Sequence, residues 1–287
     1  MDKLNLSIIL PAHNESASLR LILPRLKELF GDAEIIVIDD GSDDETAEIC
    51  LQHNINVISH KYQKGNGAAI KTGIRNASGD IIAFMDADGQ HVPEDLVGLL
   101  SRLNEGYDMV VGARAMSTHA GTLRMAGNYI YNKLASWMTG HVVLDLTSGF
   151  RVAYASKLRE FIHMLPNGFS CPTTTTMAFF RSGYSVSYVP IKAETRAGKS
   201  HIRLLRDGLK FLLIIFRVAA FYSPLKIFFP LSTLFFITGV GYYLFTYITE
   251  ERFTNMGVFL LTISILIFLI GLLAEQITFL IYRDSKK

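Results

Sequence analysis

The sequence predicts an α/β chain: a doubly wound, mostly parallel sheet, followed by an interfacial amphipathic helix and a two-helix transmembrane hairpin. Three observations predict it. Short apolar runs alternate with amphipathic segments over residues 1–200, the signature of repeated strand–helix units. Polar clusters, His13-Asn14-Glu15, Asp39-Asp40-Gly41-Ser42 and Asp86-Ala87-Asp88-Gly89-Gln90, directly follow three of those runs, where open parallel sheets bind ligands. Charge then disappears across residues 227–248 and again across 253–274.

The elements follow in order. Residues 6–10 read as a strand stopped by Pro11, and 15–30 as a helix. Residues 34–38 form the next strand, with a helix starting near Asp43. A strand at 56–59 precedes a helix at 67–76, and a strand at 80–85 precedes a helix at 93–104. Residues 108–111 make a fifth strand, and 121–138 a further helix carrying Arg124, Asn128 and Asn132 at four-residue spacing, hence on one face.

Each charge-free run exceeds the roughly 20 residues a helix needs to cross the hydrocarbon core. The short polar link Thr249-Glu250-Glu251-Arg252 joins them, so they read as a hairpin. Arg203, Arg206, Lys210, Arg217 and Lys226 precede the first span, and Arg283, Lys286 and Lys287 follow the second. The positive-inside rule then puts both termini and the large N-terminal domain in the cytoplasm. The first ten residues lack the basic-then-apolar pattern of a signal peptide, which agrees. Residues 202–222 carry a basic face opposite Ile202, Leu205, Leu209, Leu212, Leu213 and Phe216, the composition of a helix lying in a membrane interface. The expected domains are a cytoplasmic domain at 1–200, a juxtamembrane helix at 201–223 and the hairpin at 224–287.

Composition narrows the function. Among 287 residues, 49% are hydrophobic and the formal net charge is only +2, with a mean hydropathy of +0.27. There is no basic run or zinc-finger spacing, so a nucleic-acid partner is not expected. Cys50 and Cys171 stand far apart with no CxxC pair, which fits reduced thiols rather than a disulfide framework.

Asp86-Ala87-Asp88 places two carboxylates in one tight turn after a strand. Hard Mg²⁺ or Mn²⁺ prefers such oxygen ligands and takes its remaining ones from phosphates and water, which would neutralise a departing nucleoside diphosphate. Polar groups after the first strand can read a base or ribose, and a carboxylate after the second can accept a base N–H. Helix capping by Asn14 or Ser42 explains the same residues. Lys64-Gly65-Asn66-Gly67 is glycine-rich and lets backbone approach a ligand, but it matches neither a Walker loop nor a dinucleotide fingerprint.

Together these motifs resemble glycosyltransferase family 2, whose fold is called GT-A, over about the first 200 residues. The C-terminal hairpin makes the chain similar to the polyprenyl-phosphate sugar transferases, the group including dolichyl-phosphate mannose synthases. The resemblance implies that Pro11, Ala12, Glu15, Ile38, Asp40, Asp86 and Ala87 form the nucleotide site, and that Asp86, Asp88 and Gln90 surround the metal. Gly112-Ala113-Arg114 looks like the family's Gly-Ser-Arg, which implies that Arg114 contacts phosphate. Arg124 and Asn128 fall where relatives carry Arg and Ser facing the lipid phosphate. Asp145-Leu146-Thr147-Ser148-Gly149-Phe150-Arg151 resembles the family's D-x-T-S-G-F-R, with Asp145 where a catalytic base is discussed, or where a carboxylate orients Arg151 or the loop.

Two departures stand out. Arg196-Ala197-Gly198-Lys199-Ser200-His201 varies the family's basic loop, leaving Arg196 and Lys199 as expected contacts to the nucleotide phosphates. Ser170-Cys171-Pro172 and Thr173–Thr176 offer only hydroxyls where relatives often carry an acid near the sugar. That leaves an N-acetylated or otherwise modified hexose open beside mannose, or simple helix capping by the threonines. The implied reaction is inverting transfer of a hexose from a UDP- or GDP-sugar to a polyprenyl phosphate at a bilayer, catalysed chiefly by Asp88, Asp145 and Arg114. The alternatives are a family 2 transferase acting on a glycan or another lipid, and a non-catalytic membrane scaffold. Hairpins of this kind can pack against copies of themselves, which leaves a homo-oligomer open.

Overall fold

A computed structural model describes residues 4–114, 122–168, 170–191, 222–252 and 254–284. The chain divides into two compact units, residues 1–203 and 204–287.

In the first unit the elements run β1 (Leu6–Ala12), α1 (Ser16–Leu29), β2 (Glu34–Asp39), α2 (Thr46–Gln52), β3 (Asn56–Ser59), α3 (Asn66–Asn76), β4 (Ile81–Phe84), α4 (Asp95–Leu103), β5 (Met109–Arg114), α5 (Thr122–Thr139), β6 (Arg151–Tyr154), α6 (Ala155–Glu160), α7 (Cys171–Arg181) and β7 (Val186–Ile191). The strands form one sheet in the order β3-β2-β1-β4-β6-β5-β7. All pairs are parallel except those that β6 makes with β4 and β5. The predicted doubly wound, mostly parallel architecture is therefore present. Strands covered on both faces need continuous apolar runs, and in β1 every residue after Leu6 is buried. Helix α1 meets the sheet with Leu19, Ile22, Leu23 and Leu26, the spacing of a single apolar stripe.

Several boundaries differ from the sequence reading for identifiable reasons. Pro11 does not stop β1, which continues to Ala12. The Ile9 carbonyl accepts from Met85 N, so Ile9 and Pro11 present their backbone to the β4 side, while the Ala12 carbonyl accepts from Asp40 N on the β2 side. Pairing with β4 ends at Ile9–Phe84, so the N–H that proline lacks has no ladder partner to lose. The run Thr173–Thr176 lies inside α7 although β-branched residues disfavour helix. Pro172 occupies the first turn. The hydroxyls of Thr174, Thr175 and Thr176 donate back to the carbonyls of Ser170, Cys171 and Pro172, which uses their polar groups within the helix. Strands β6 and β7 and helix α6 had no counterpart in the sequence reading, and α7 had one only as a helix that the threonines would cap.

Gly98 lies exposed within α4, and a Cβ there would meet only Val189 Cγ1 at 3.7 Å, an ordinary contact. Gly98→Ala is expected to stabilise the chain by about 0.5–1 kcal/mol through reduced backbone entropy of the unfolded state. The check is a rise of about 1–4 °C in melting temperature.

In the second unit, α8 (Leu225–Glu250) and α9 (Asn255–Asp284) form an antiparallel pair closed at Glu251, whose φ is 52°. Only 11% and 17% of their apolar windows are buried, the reverse of soluble core helices. Contact between the two uses small and polar groups, as helices in lipid do. Ser264 Oγ donates to the Ser232 carbonyl at 2.9 Å, and Gly239 and Gly271 admit Leu261 and Phe228. Glu275 accepts from Leu225 N at 3.2 Å, putting negative charge at the positive end of the α8 dipole. Of the expected amphipathic segment over 202–222, all but Tyr222 lies outside the described residues.

Candidate active site

The carboxyl ends of β1, β2, β4 and β5 supply the candidate residues, and the loops between them are tied together. The loop after β1 is joined to the loop after β2. Asn14 N donates to Ser42 Oγ, Glu15 N to Thr46 Oγ1, Ser16 N to Asp44 Oδ2, and Asp43 N to Asn14 Oδ1. The first amides of α1 are thus satisfied from across the loop, so Asn14 is no conventional N-cap and Ser42 serves Asn14 N rather than α2. Glu15, half-buried, lies at this junction and accepts weakly from Ser18 Oγ at 3.4 Å.

Pro11, Ala12, Ile38 and Ala87 are buried, so they shape the strand ends rather than present side chains. Asp40 directly follows β2. It is only 3% exposed and accepts from Lys64 N at 2.9 Å, Gly65 N at 2.7 Å and His60 Nδ1 at 2.7 Å. His60 Nε2 pairs with Thr72 Oγ1. Through these bonds Asp40 pins the glycine-rich loop.

That loop is also held by its own chain. The close approach its glycines permit is to the chain itself. A Cβ at Gly65 would lie 2.6 Å from the Asn167 carbonyl oxygen, and one at Gly67 would overlap the Pro166 carbonyl. Ala68 N donates to Asn167 O, and Lys71 Nζ to Leu165 O. The outcome is to place Asn66 with Nδ2 3.5 Å from Asp86 Oδ1.

β4 ends at Phe84, and Asp86, Asp88 and Gln90 follow in one turn, all half-buried. Gly89 supplies the turn with a φ of 78°, and Gln90 N donates to Asp88 Oδ1 at 3.1 Å. The donor set is all oxygen. No group of three or more His, Cys, Asp or Glu is gathered for a metal among the described residues. Two carboxylates and an amide suit a hard cation that draws its remaining ligands from a diphosphate, and do not suit a self-sufficient protein cage. His91, next in the chain, is buried and stacked on Phe150, ring centroids 4.9 Å apart at 15°. Burial pushes its pKa down against the opposing pull of Asp86 and Asp88.

Arg114 closes β5 and meets Asp145 in a fork. Nε donates to Oδ2 at 2.8 Å and Nη2 to Oδ1 at 3.0 Å, and Nη2 also reaches Thr147 Oγ1 at 2.7 Å. Asp145 Oδ1 further accepts from Thr147 N, Thr147 Oγ1 and Ser148 N, each at 3.1 Å. Burial would raise the Asp145 pKa, but the Arg114 bonds and charge outweigh it and hold the carboxyl below its ordinary value. Burial likewise opposes the Arg114 charge, and Asp145 together with Asp86 and Asp88 overcomes it, raising the guanidinium pKa. Asp145 therefore orients Arg114 and its own loop. Arg151 instead donates to Ser148 O, Pro172 O and Thr176 Oγ1.

On α5, Asn128 is half-buried. One turn later Asn132 donates to Leu144 O at 2.6 Å and accepts from Leu146 N at 3.0 Å, fixing the approach to Asp145. The Arg124 side chain, Arg196 and Lys199 lie outside the described residues. Thr173, Thr175 and Thr176 are buried, and Thr173 Oγ1 accepts from Tyr131 OH at 3.2 Å. The threonine hydroxyls are thus engaged within the fold. Sequence reasoning did not single out Asn66, Gly149 and His91 for roles of their own. Asn66 and Gly149 stand inside quoted motifs and His91 directly follows one, but only the fold shows what each touches.

Comparison with known proteins adds the following. The profile described as "Glycosyl transferase family 2" matches residues 7–162, and that described as "GtrB C-terminal hairpin" matches residues 223–280. A dolichyl-phosphate hexose transferase from Haloferax volcanii is 32% identical over 209 residues, covering 71% of this chain and 89% of the relative. A polyprenol monophosphomannose synthase from Mycolicibacterium smegmatis is 30% identical over 202 residues, covering 64% and 75%. In structure, glucosyl-3-phosphoglycerate synthase from Mycobacterium tuberculosis, solved with Mn²⁺, UDP-glucose and phosphoglyceric acid, superposes with a TM-score of 0.62 at 22% identity, covering 75% and 79%. At that identity the likeness speaks for the fold alone.

Proposed function

The chain belongs to glycosyl transferase family 2, and from that premise we propose that it transfers a hexose or hexose derivative from a UDP- or GDP-sugar to a polyprenyl phosphate, with inversion at the anomeric carbon. It is a glycosyltransferase, and relatives named as dolichyl-phosphate and polyprenol-phosphate sugar transferases support the acceptor class. The observation that carries the reading is the pairing of two sites of opposite charge. A carboxylate turn, Asp86 to Gln90, stands within the electrostatic reach of a forked cation, Arg114.

Asp86, Asp88 and Gln90 would hold Mg²⁺ or Mn²⁺. That ion would supply charge neutralisation for the leaving diphosphate. This chain's residues do the rest by position. Arg114, locked by Asp145, presents fixed positive charge for a phosphate, so none of its orientation has to be gained during reaction. Arg124, Asn128, Arg196 and Lys199 are proposed as further phosphate contacts, and Glu15 as a contact to the nucleoside. A phosphate monoester is already largely dianionic near neutral pH, its second pKa being about 6. It attacks without surrendering a proton, so Asp145, ionised and bonded to Arg114, is assigned to positioning rather than to proton removal.

The hairpin anchors the transferase unit, with both termini cytoplasmic and the domain boundaries near residues 200 and 224. Exposed Ile130, Trp137, Val142 and Leu144 lead directly to Asp145, and aromatic and aliphatic side chains of this kind favour a headgroup region. The test is to incubate membranes carrying the protein with radiolabelled UDP- and GDP-sugars and either undecaprenyl or dolichyl phosphate. Labelled lipid that mild acid hydrolyses to the free sugar is the expected product. Label passing only to a glycan, or staying in the nucleotide with every donor, would refute the reading.

A further inference from the structure

The geometry points to Gly149 and Arg151 as positioning residues that fix the Asp86 carboxylate, an inference that rests on the donor-site reading above. Gly149 has its bare Cα against that carboxylate. A Cβ built there would lie 3.0 Å from both Asp86 Cγ and Oδ1 and closer still to Oδ2. Any side chain at 149 must therefore push the carboxylate aside, because the obstacle on the other side is backbone that is itself fixed.

That backbone is fixed from both ends. Ser148 N donates to Asp145 Oδ1, and Ser148 O accepts from Arg151 Nη2. Arg151 is 2% exposed, and among the described residues no carboxylate bonds to it. Its remaining bonds run from Nη1 to Pro172 O at 2.8 Å and Thr176 Oγ1 at 3.1 Å, so it braces Ser148 against the buried start of α7. Burial pulls its pKa down. A buried guanidinium spent on two backbone carbonyls and a hydroxyl is a costly way to hold a loop, and a mere packing role is served by apolar groups. A second contact repeats the first. Phe150, next after Gly149, stacks on His91 at the far end of the Asp86–His91 turn, and Phe150 O accepts from Gly112 N at 2.9 Å. One braced segment thus presses on the carboxylate turn at both ends.

The experiment uses full-length protein in detergent and titrates UDP and GDP by calorimetry with and without Mn²⁺, following free Mn²⁺ by its electron paramagnetic resonance signal. Gly149→Ala is expected to weaken the Mn²⁺-dependent part of nucleoside diphosphate binding at least tenfold and to leave metal-free binding within twofold. Arg151→Lys, which keeps the charge but loses the fork, should move the same quantity in the same direction. Gly98→Ala should leave it unchanged. Wild-type Mn²⁺-dependent affinity in Gly149→Ala, or equal loss with and without metal, overturns the positioning role while the donor reading stands. If Gly149→Ala does not fold, Arg151→Lys decides by the same two outcomes. A wild-type chain that binds neither nucleotide in a metal-dependent way overturns the donor reading itself, and this inference with it.

Discussion

Asp88→Asn is expected to lower sugar transfer by about a thousandfold or more while the protein stays folded and in the membrane fraction. Asparagine keeps the size and the oxygen that accepts from Gln90 N, so the turn after β4 retains its one internal bond at that residue. What it removes is half the negative charge in a set of two carboxylates and an amide. A divalent ion in such a site is worth several kcal/mol of charge stabilisation, and each 1.36 kcal/mol is about tenfold in rate. The hairpin forms a separate unit, so membrane retention should not respond. The measurement is initial rate of labelled lipid formation beside a melting curve. Near-normal turnover with an unchanged melting curve would remove the metal role of Asp88. Asp86→Asn should also reduce transfer, but it alters the contacts with Asn66 and Gly149 as well, so Asp88 is the cleaner test.

The sequence made the frame readable because its signals are local. Continuous apolar runs such as Ile35–Ile38 specify strands buried on both faces, and the charge-free tail specifies helices that face lipid, with no need to know what packs where. Asp86, Asp88 and Gln90 were legible for the same reason, since three alternate positions in one turn form a local pattern. The bonds that Asp40 makes within the chain were not legible because they are long-range. The partners, His60, Lys64 and Gly65, lie 20–25 residues away, and no spacing rule announces them. The threonines of α7 sit in a helix because their hydroxyls bond within it, which outweighs their intrinsic preference. β6 escaped notice because it begins at Arg151, inside a polar motif, and runs for only 4 residues. An antiparallel strand inserted between β4 and β5 is a tertiary fact. Gly149 needed the fold as well, since its meaning is the carboxylate across from it.

Asp145→Asn and Arg114→Lys are each expected to cut transfer about a hundredfold, and the double variant to be little worse than either alone. Asparagine would turn an N–H donor toward Arg114 or toward the Thr147 and Ser148 amides, and lysine cannot reproduce the two-point fork. Residues that act as one unit give non-additive losses. A catalytic base would behave otherwise: Asp145→Asn would cost far more than Arg114→Lys, and the losses would multiply. The pH dependence separates the two roles independently. With Asp145 held ionised below the usual carboxylate range, its titration lies below the working range. The rising limb of the rate profile should follow the lipid phosphate near pH 6, as set by its second ionisation at about 6. That limb should persist in Asp145→Asn, and its disappearance would restore the base. Stability carries the same sign. A carboxyl whose folded pKa is depressed contributes stability above its unfolded value of about 3.9, and this contribution is lost as pH falls through the folded value. The pair is partly open, with side chains 33% and 9% exposed. The melting penalty of Asp145→Asn should therefore correspond to about 1–3 kcal/mol, below the 3–5 of a fully buried pair. It should hold steady from pH 8 to 5 and shrink only in stronger acid. A penalty that vanished near neutrality would mean that the carboxyl titrates there, and the orientation of Arg114 would then vary with pH instead of being set by the fold.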